Sequence, residues 1–200
     1  MAKLFGKRDT VAIFPLGTVL FPGGILPLKI FEVRYVDMAK DCLKQGAPFG
    51  VCLIREGAEV GAPAVPEPVG CLARIKDCDV EELGVLKVTA EGLERFRIVS
   101  TDVSRQGLVV GRVENLHPEA EVTDAPGLAQ SAQFLRKVIA GIGPQRFAEP
   151  HRFEDASWVG FRLAEILPLR MDVKQKLLEL TDATLRLAIL HKFLQQQKLL

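Results

Sequence analysis

The sequence predicts an α+β fold: a β pseudo-barrel with one inserted helix, followed by a C-terminal helical bundle. Three observations carry this. Before about residue 120, apolar residues alternate in short runs punctuated by Gly and Pro, the period-two signature of strands buried on one face. After it they recur three and four apart, the period of a helix. One stretch within the first part, FEVRYVDMAKDCLKQG, breaks the strand pattern with helical spacing. The boundaries drawn from this change are 9–118 for the barrel subdomain and 122–198 for the bundle subdomain.

VAIFPL (11–16) is the first strand. In FPGGILPLKI, Gly23 and Gly24 supply a turn and Ile25 to Ile30 the second strand. A glycine pair can also cradle phosphate, but that needs a following helix with Lys and Ser or Thr, and here a strand follows. Pro27 has no N–H to give to a ladder, so this strand belongs at a sheet edge or bulge. Phe31, Tyr35, Met38, Ala39 and Cys42 then share one helical face, expected to be buried together, and Gly46 ends the helix.

PFGVCLI (48–54) reads as a buried strand, and the Pro- and Gly-rich 57–70 as a surface loop. VGCLARIKDCDV (69–80) is a long strand with Cys71, Ala73, Ile75 and Asp77 on one face and Leu72, Arg74, Lys76 and Cys78 on the other. GVLKVTAEGLERFRIVS (84–100) reads as two strand segments about a turn at Glu91 and Gly92. GLVVGRVENL (107–116) is the last strand, with Gly111 a bulge or close approach. Six or seven short strands at this spacing predict a closed or nearly closed barrel.

In the helical part, Thr123 or Asp124 is placed to cap a helix reaching about Ala140, with Leu128, Leu135, Ile139 and Ile142 inward. A connector (141–155) precedes a helix from Ala156 to Leu167, stopped by Pro168. Asp172 and Gln175 have capping-box spacing before the next helix. The last helix starts at about Asp182 and turns Leu185, Ile189, Leu190, Phe193 and Leu194 inward. Trp158, beside Phe161, reads as a core anchor.

Composition excludes some functions. Lys and Arg number 26 against 25 Asp and Glu, a net charge of +1. Binding to nucleic acid is driven by counterion release and favours a clear positive excess, so the balance argues against such a partner. Lys7 and Arg8 read as a solvated tail, and Arg95 and Arg97 as the wet face of a strand whose other face carries Phe96. The four cysteines have no C-x-x-C spacing and the three histidines no helical pair, so no metal site is read. With no apolar leader at MAKLFGKRDT and no apolar run near the roughly 20 residues that span a bilayer, reduced thiols and a cytoplasmic location are expected. Neither a phosphate loop nor G-x-S-x-G occurs, and Glu81 and Glu82 read as a charged turn rather than a glycosidase pair. No cofactor is called for.

IFPLGTVLFPGGILPLKIFEVRYVDMAKDCL closely resembles the start of the substrate-binding N-terminal domain of ATP-dependent Lon proteases. GVLKVTAEGLERFRI resembles that domain's later strand pair, and FRLAEILPLRMDVKQKLLELTDATLRLAIL its helical bundle; the likeness runs over roughly residues 9 to 195. It implies a PUA-like pseudo-barrel with a bundle after it. Lon proteases continue into an ATPase and a Ser-Lys peptidase, and neither motif is present, so the resemblance implies a free-standing, non-catalytic binding domain of the kind bacteria encode separately. Its expected ligand is an unfolded or extended polypeptide, in an adaptor or quality-control role, with a separate protease or a second copy of the chain as further partners.

The residues expected to touch such a ligand are Phe21, Leu26, Glu32, Arg34, Tyr35, Phe147, Phe153 and Trp158, lining an apolar groove between barrel and bundle. The strand edge marked by Pro27 is open to an extended chain, and segments 57–68 and 144–155 are the expected moving parts. Glu32 and Arg34 read first as a structural pair at the helix entry, since a buried charge left alone costs about 3–5 kcal/mol. Two alternatives stand beside this reading: RNA binding, by analogy with other PUA-like folds, and an enzyme whose residues the sequence does not reveal. Without the avidity of a ring, one copy is expected to bind at about micromolar affinity or weaker.

Overall fold

The computed structural model describes residues 10–82 and 84–200; Lys7 and Arg8 lie outside them. The chain divides between His117 and Pro118 into two compact units. The first holds β1 (Thr10–Leu16), β2 (Ile25–Ile30), α1 (Val33–Gln45), β3 (Phe49–Glu56), β4 (Val65–Pro66), β5 (Val69–Glu82), β6 (Val85–Val103) and β7 (Val109–Asn115). Five strands run β1–β7–β6–β5–β3, and β3 returns to pair with β1 in parallel. The other pairings are antiparallel. Among the described residues β2 is attached to β6 alone and β4 to β3 alone, so the unit is a ring of strands with two appendages rather than a true barrel.

Alternate residues of β1 enter different clusters, as the pleat requires. Ala12, Phe14 and Leu16 pack with Met38, Phe49 and Val88, while Ile13 packs with Phe96 and Val113. The turn before β2 has Pro22 second and Gly23 third, Gly23 at φ 70°, and the N–H of Gly24 donates to the carbonyl of Phe21 at 2.9 Å. Proline presets its own φ, and glycine adopts the positive φ that an L side chain resists.

Four readings of the strands of this unit are corrected. β6 is one strand from Val85 to Val103, with no turn at Glu91 and Gly92. Gly92 is glycine because a Cβ there would stand 2.2 Å from the carbonyl oxygen of Phe21, where the β2 turn crosses β6. On β5 the register shifts between Ile75 and Asp77, so Cys78 rather than Asp77 joins Ile75 against the core; a bulge reverses which face later residues take. A second shift between Cys71 and Ala73 breaks alternation on the facing stretch of β6, and Arg95 is buried instead of wet. Glu81 continues β5, and the hairpin bends at Gly84, φ 89°.

In α1 the helix starts after Glu32, so Phe31 precedes it and is 56% exposed, while Tyr35, Met38, Ala39 and Cys42 are buried as their spacing predicts. Gly46 ends the helix at φ 63°, its N–H donating to the carbonyl of Cys42. Gly111 is a close approach to Ile13.

The second unit holds α2 (Leu128–Ile142), a 3₁₀ turn (Pro144–Arg146), α3 (Ala156–Ile166), α4 (Met171–Glu179) and α5 (Ala183–Gln196). The predominantly apolar α3 is central and packs against α2, α4 and α5. Asp155 caps α3 by accepting from the N–H of Ser157 at 2.9 Å, and Asp182 caps α5 by accepting from Leu185 at 2.9 Å. Two cap readings are corrected. Gly127 rather than Thr123 or Asp124 precedes α2, and Asp172 lies inside the first turn of α4, paired with Arg170, so no capping box forms. Two helix faces are corrected as well. Ile142, Leu185 and Ile189 are exposed, and the inward face of α5 carries Ala183, Arg186, Leu187, Leu190 and Leu194.

Arg186 departs from the apolar pattern because its charge is answered on every side. Its Nη1 donates to Glu119 at 2.8 Å, Nη2 donates to Glu119 and to the carbonyl of Leu180, and Nε donates to the carbonyl of Leu177 at 3.0 Å. The guanidinium lies 3.9 Å over the ring of Phe161. Such pairing offsets burial of the charge, since a buried charge left alone costs about 3–5 kcal/mol.

A candidate polypeptide-binding cleft

A cleft of about 340 Å³ opens in the first unit. It is lined by every residue from Leu26 to Glu32, together with the end of β1, Tyr35 of α1 and Glu59–Val60. Successive side chains of a strand point to opposite faces. A depression touched by successive residues of β2 from Leu26 to Ile30 therefore runs along its edge. β2 presents that edge because β6 pairs with its other side.

The floor is largely apolar. The rings of Phe14 and Tyr35 stack with centroids 4.0 Å apart. The Arg34 guanidinium lies 4.7 Å from the Tyr35 ring, pairs with Glu32 at 2.9 Å, and donates from Nη1 to the carbonyl of Gly107 at 3.0 Å. Its Nε has no hydrogen-bond partner among the described residues. Burial raises the Tyr35 phenol above its ordinary value, partly opposed by Arg34. Lys29, on the rim, pairs with Glu81 at 2.9 Å. Glu59 reaches from the segment 57–64 across to the opening and accepts from the N–H of Gly17 at 2.5 Å. Gly57 and Gly61, on either side of it, hold φ of 101° and 98°.

Of the residues expected from sequence, Leu26, Glu32 and Tyr35 line this cleft, and Arg34 stands behind it as the partner that holds Glu32 and covers the Tyr35 ring. Phe21 is 1% exposed and belongs to the core. The remaining three lie in the second unit. Phe147 is buried, while Phe153 and Trp158 are half-buried with centroids 5.1 Å apart, flanked by His151 and by Arg136, whose guanidinium lies 3.8 Å over Phe153. Sequence reasoning missed Phe14, Thr18, Glu59 and Val60 as lining residues and placed Phe31 in the core. Glu59 and Val60 lie more than 25 residues from β2 in a segment without periodicity, so nothing local announces which surface they cover.

Among the described residues no group of three or more His, Cys, Asp and Glu is placed to hold a metal ion. The four cysteines are free thiols. Burial, with Asp41 adding to it, pushes Cys42 up to about 12, and burial raises Cys52 further. No described helix is long and apolar enough to cross a membrane.

Residues 10–196 match the model of the ATP-dependent protease La (LON) substrate-binding domain. Among solved structures, a Lon N-terminal domain protein from Xanthomonas campestris is 36% identical with a TM-score of 0.76, covering 90% of this chain and 96% of that one. The N-terminal domain of a Mycobacterium avium complex Lon protease shares the fold at 20% identity and a TM-score of 0.66, over 90% of this chain and 95% of that one. Curated relatives include the Lon proteases of Heliobacterium modesticaldum, 26% identical, and Anaeromyxobacter dehalogenans, 23% identical, each aligned over 98% of this chain. The chain spans about a quarter of the length of these relatives, 25% and 24%. Its α+β architecture is that of the two solved N-terminal domains, a PUA-like ring of strands followed by helices, and the chain belongs to the Lon substrate-binding domain family.

Proposed function

We propose that this protein binds segments of other polypeptides without acting on them chemically, and that the cleft along β2 is where it does so. The observation that carries the reading is the cleft's position on a strand edge, with apolar Leu26, Leu28, Phe14 and Tyr35 beside it. Such a site recognises main chain by hydrogen bonds and side chains by shallow apolar contact, the chemistry of promiscuous peptide capture. The non-catalytic part of the proposal is supported by the lining. Among the described lining residues the charged groups are already engaged, Glu32 by Arg34, Glu59 by the Gly17 amide and Lys29 by Glu81. Substrate binding is also what the family's description assigns to this domain. An adaptor role beside a separate cytoplasmic protease fits the same chemistry, since capture and cleavage then reside on different chains.

The test is a titration of the ¹⁵N-labelled protein with a reduced, alkylated and therefore permanently unfolded protein, followed by amide shifts. Saturable shifts at about micromolar or weaker affinity, centred on residues 14–18, 26–35 and 59–60, are the expected result. No shift up to millimolar ligand, or shifts confined to other residues, would overturn the assignment. So would tighter, salt-sensitive binding of single-stranded RNA at the same residues.

A further inference from the structure

We infer that the cleft takes its ligand as an added antiparallel strand on β2, in a register fixed by Pro27, and that Pro27 keeps this binding weak. The inference rests on the reading of the cleft as a polypeptide site and specifies how the chain is held and which sequences fit.

The edge can be read residue by residue. In an antiparallel ladder, every second residue turns its N–H and C=O toward one neighbour and the residues between turn theirs the other way. Along β2 and β6 the partner numbers keep one register, with Leu26 opposite Ala90 and Leu28 opposite Val88. The N–H of Gly92 donates to the carbonyl of Gly24 at 2.8 Å, which sets the phase. Leu26, Leu28 and Ile30 therefore bond to β6, and Ile25, Pro27 and Lys29 face outward. Proline in the outward set agrees independently, because an inward proline would leave a hole in the ladder. Neither Ile25 nor Lys29 has a main-chain partner on this outer side among the described residues.

The outer edge thus offers carbonyls at Ile25, Pro27 and Lys29 but amides only at Ile25 and Lys29. A strand laid on it gains donors and acceptors at both ends and leaves its own carbonyl opposite Pro27 without a donor. The gap also argues for a foreign chain over a second copy. Two β2 strands paired with each other would bring two prolines to the seam and lose two bonds, whereas a proline-free segment loses one. Edge proline and edge lysine are recognised devices against self-association of strands.

Register then sets sequence preference. The ligand residue opposite Pro27 points its side chain to the exposed face with Pro27 and Lys29. Its two neighbours lie opposite Leu26 and Leu28, which pack on the main apolar cluster. The fitting segment is apolar–any–apolar, extended and free of proline at its centre. From Ile25 to Lys29 the contact spans about 14 Å at the usual rise of about 3.4 Å per residue.

The experiment uses a fluorescent heptapeptide alternating valine and threonine, and a set of variants each N-methylated at one backbone nitrogen. N-methylation removes one donor and leaves the side chain. Binding to the wild-type protein is expected to fall about tenfold when alternate positions are methylated and to change less than about twofold at the positions between. Pro27→Ala, which supplies the missing donor, is expected to bind the unmethylated peptide about three- to tenfold more tightly. Uniform tolerance of methylation, or equal or weaker binding by Pro27→Ala with an unchanged melting temperature, would overturn strand addition. Crosslinks joining the Lys29 residues of two copies of the wild-type chain would also overturn it, assigning the edge to self-pairing. The wider proposal fails separately: it requires the unfolded protein to bind at the cleft, which the amide titration reads whether or not methylation matters.

Discussion

Removing Glu119 should unfold the second unit far more easily than the loss of one surface carboxylate would. The Arg186 side chain is 0% exposed, and Glu119 receives both of its terminal nitrogens as well as the hydroxyl of Ser157 at 2.6 Å. Glu119→Ala leaves a buried guanidinium with two carbonyls and the Phe161 ring but without its countercharge, a cost of about 3–5 kcal/mol. With a urea dependence of about 1.5 kcal/mol per molar for a unit of this size, the midpoint should fall by about 2–3 M. Glu119→Gln, which keeps hydrogen bonds but not the charge, should fall between the two. Trp158, the sole tryptophan, lies in the same unit and gives a fluorescence signal for its unfolding. The double variant Glu119→Leu, Arg186→Met removes both charges and replaces them with apolar volume. It should lose at least about 2 kcal/mol less than the two single changes added together. A loss under about 1 kcal/mol for Glu119→Ala, or a double variant equal to the sum of the singles, would refute the view that the pair is held by mutual need.

Gly92→Ala should destabilise the first unit by about 2–4 kcal/mol, read as a thermal shift, because relieving the clash with Phe21 breaks the bonds of Gly23 and Gly24 to β6. Glu59→Ala should leave the melting temperature within about a degree while hydrogen exchange at the Gly17 amide accelerates at least about fivefold; Glu59→Gln, still an acceptor, should preserve protection. Stability should decline as pH rises above 9. The unfolded Cys42 thiol ionises near 9.0 and the folded one near about 12, so over that window the unfolded state sheds the proton first, at about 1.4 kcal/mol per pH unit. Urea melts at pH 9 and 10.5 should show the decline, and Cys42→Ala should lessen it. At pH 8 a thiol reagent should modify half-exposed Cys78 well before Cys42, Cys52 and Cys71, which are buried.

The strand-then-helix order, the edge position of β2 and the helical face of Tyr35, Met38 and Cys42 were legible because each rests on local rules: alternation, a missing N–H, a period of 3.6. What was not legible was long-range. Gly92 reads locally as a turn, and only the crossing of Phe21, some 70 residues earlier, shows that it marks a close approach within a continuous strand. The shifts near Cys71 and Ile75 are set by partners on β6, so no window on β5 alone reveals that Cys78 turns inward or that Arg95 is covered. Arg186 was passed over for the same reason. A charged residue amid Leu185, Leu187 and Ile189 looks like an outward position until Glu119 is placed against it. The cleft was half legible: β2 and Tyr35 announce themselves, while Glu59 and Val60 arrive from a loop whose destination the chain topology alone decides.

The parallel seam between β1 and β3 has a consequence for how the protein is made. Ile13 to Leu16 pair with β3, whereas Thr10 to Ile13 take their partners from Val109 to Arg112, about a hundred residues downstream. On a ribosome the opening strand must wait, with one flank unsatisfied, until nearly the whole first unit has emerged. Its assembly should then be a late and concerted event, limited by the entropy of closing a long loop. A nascent chain stalled before β7 should present β1 to chaperones, and one stalled just after it should not.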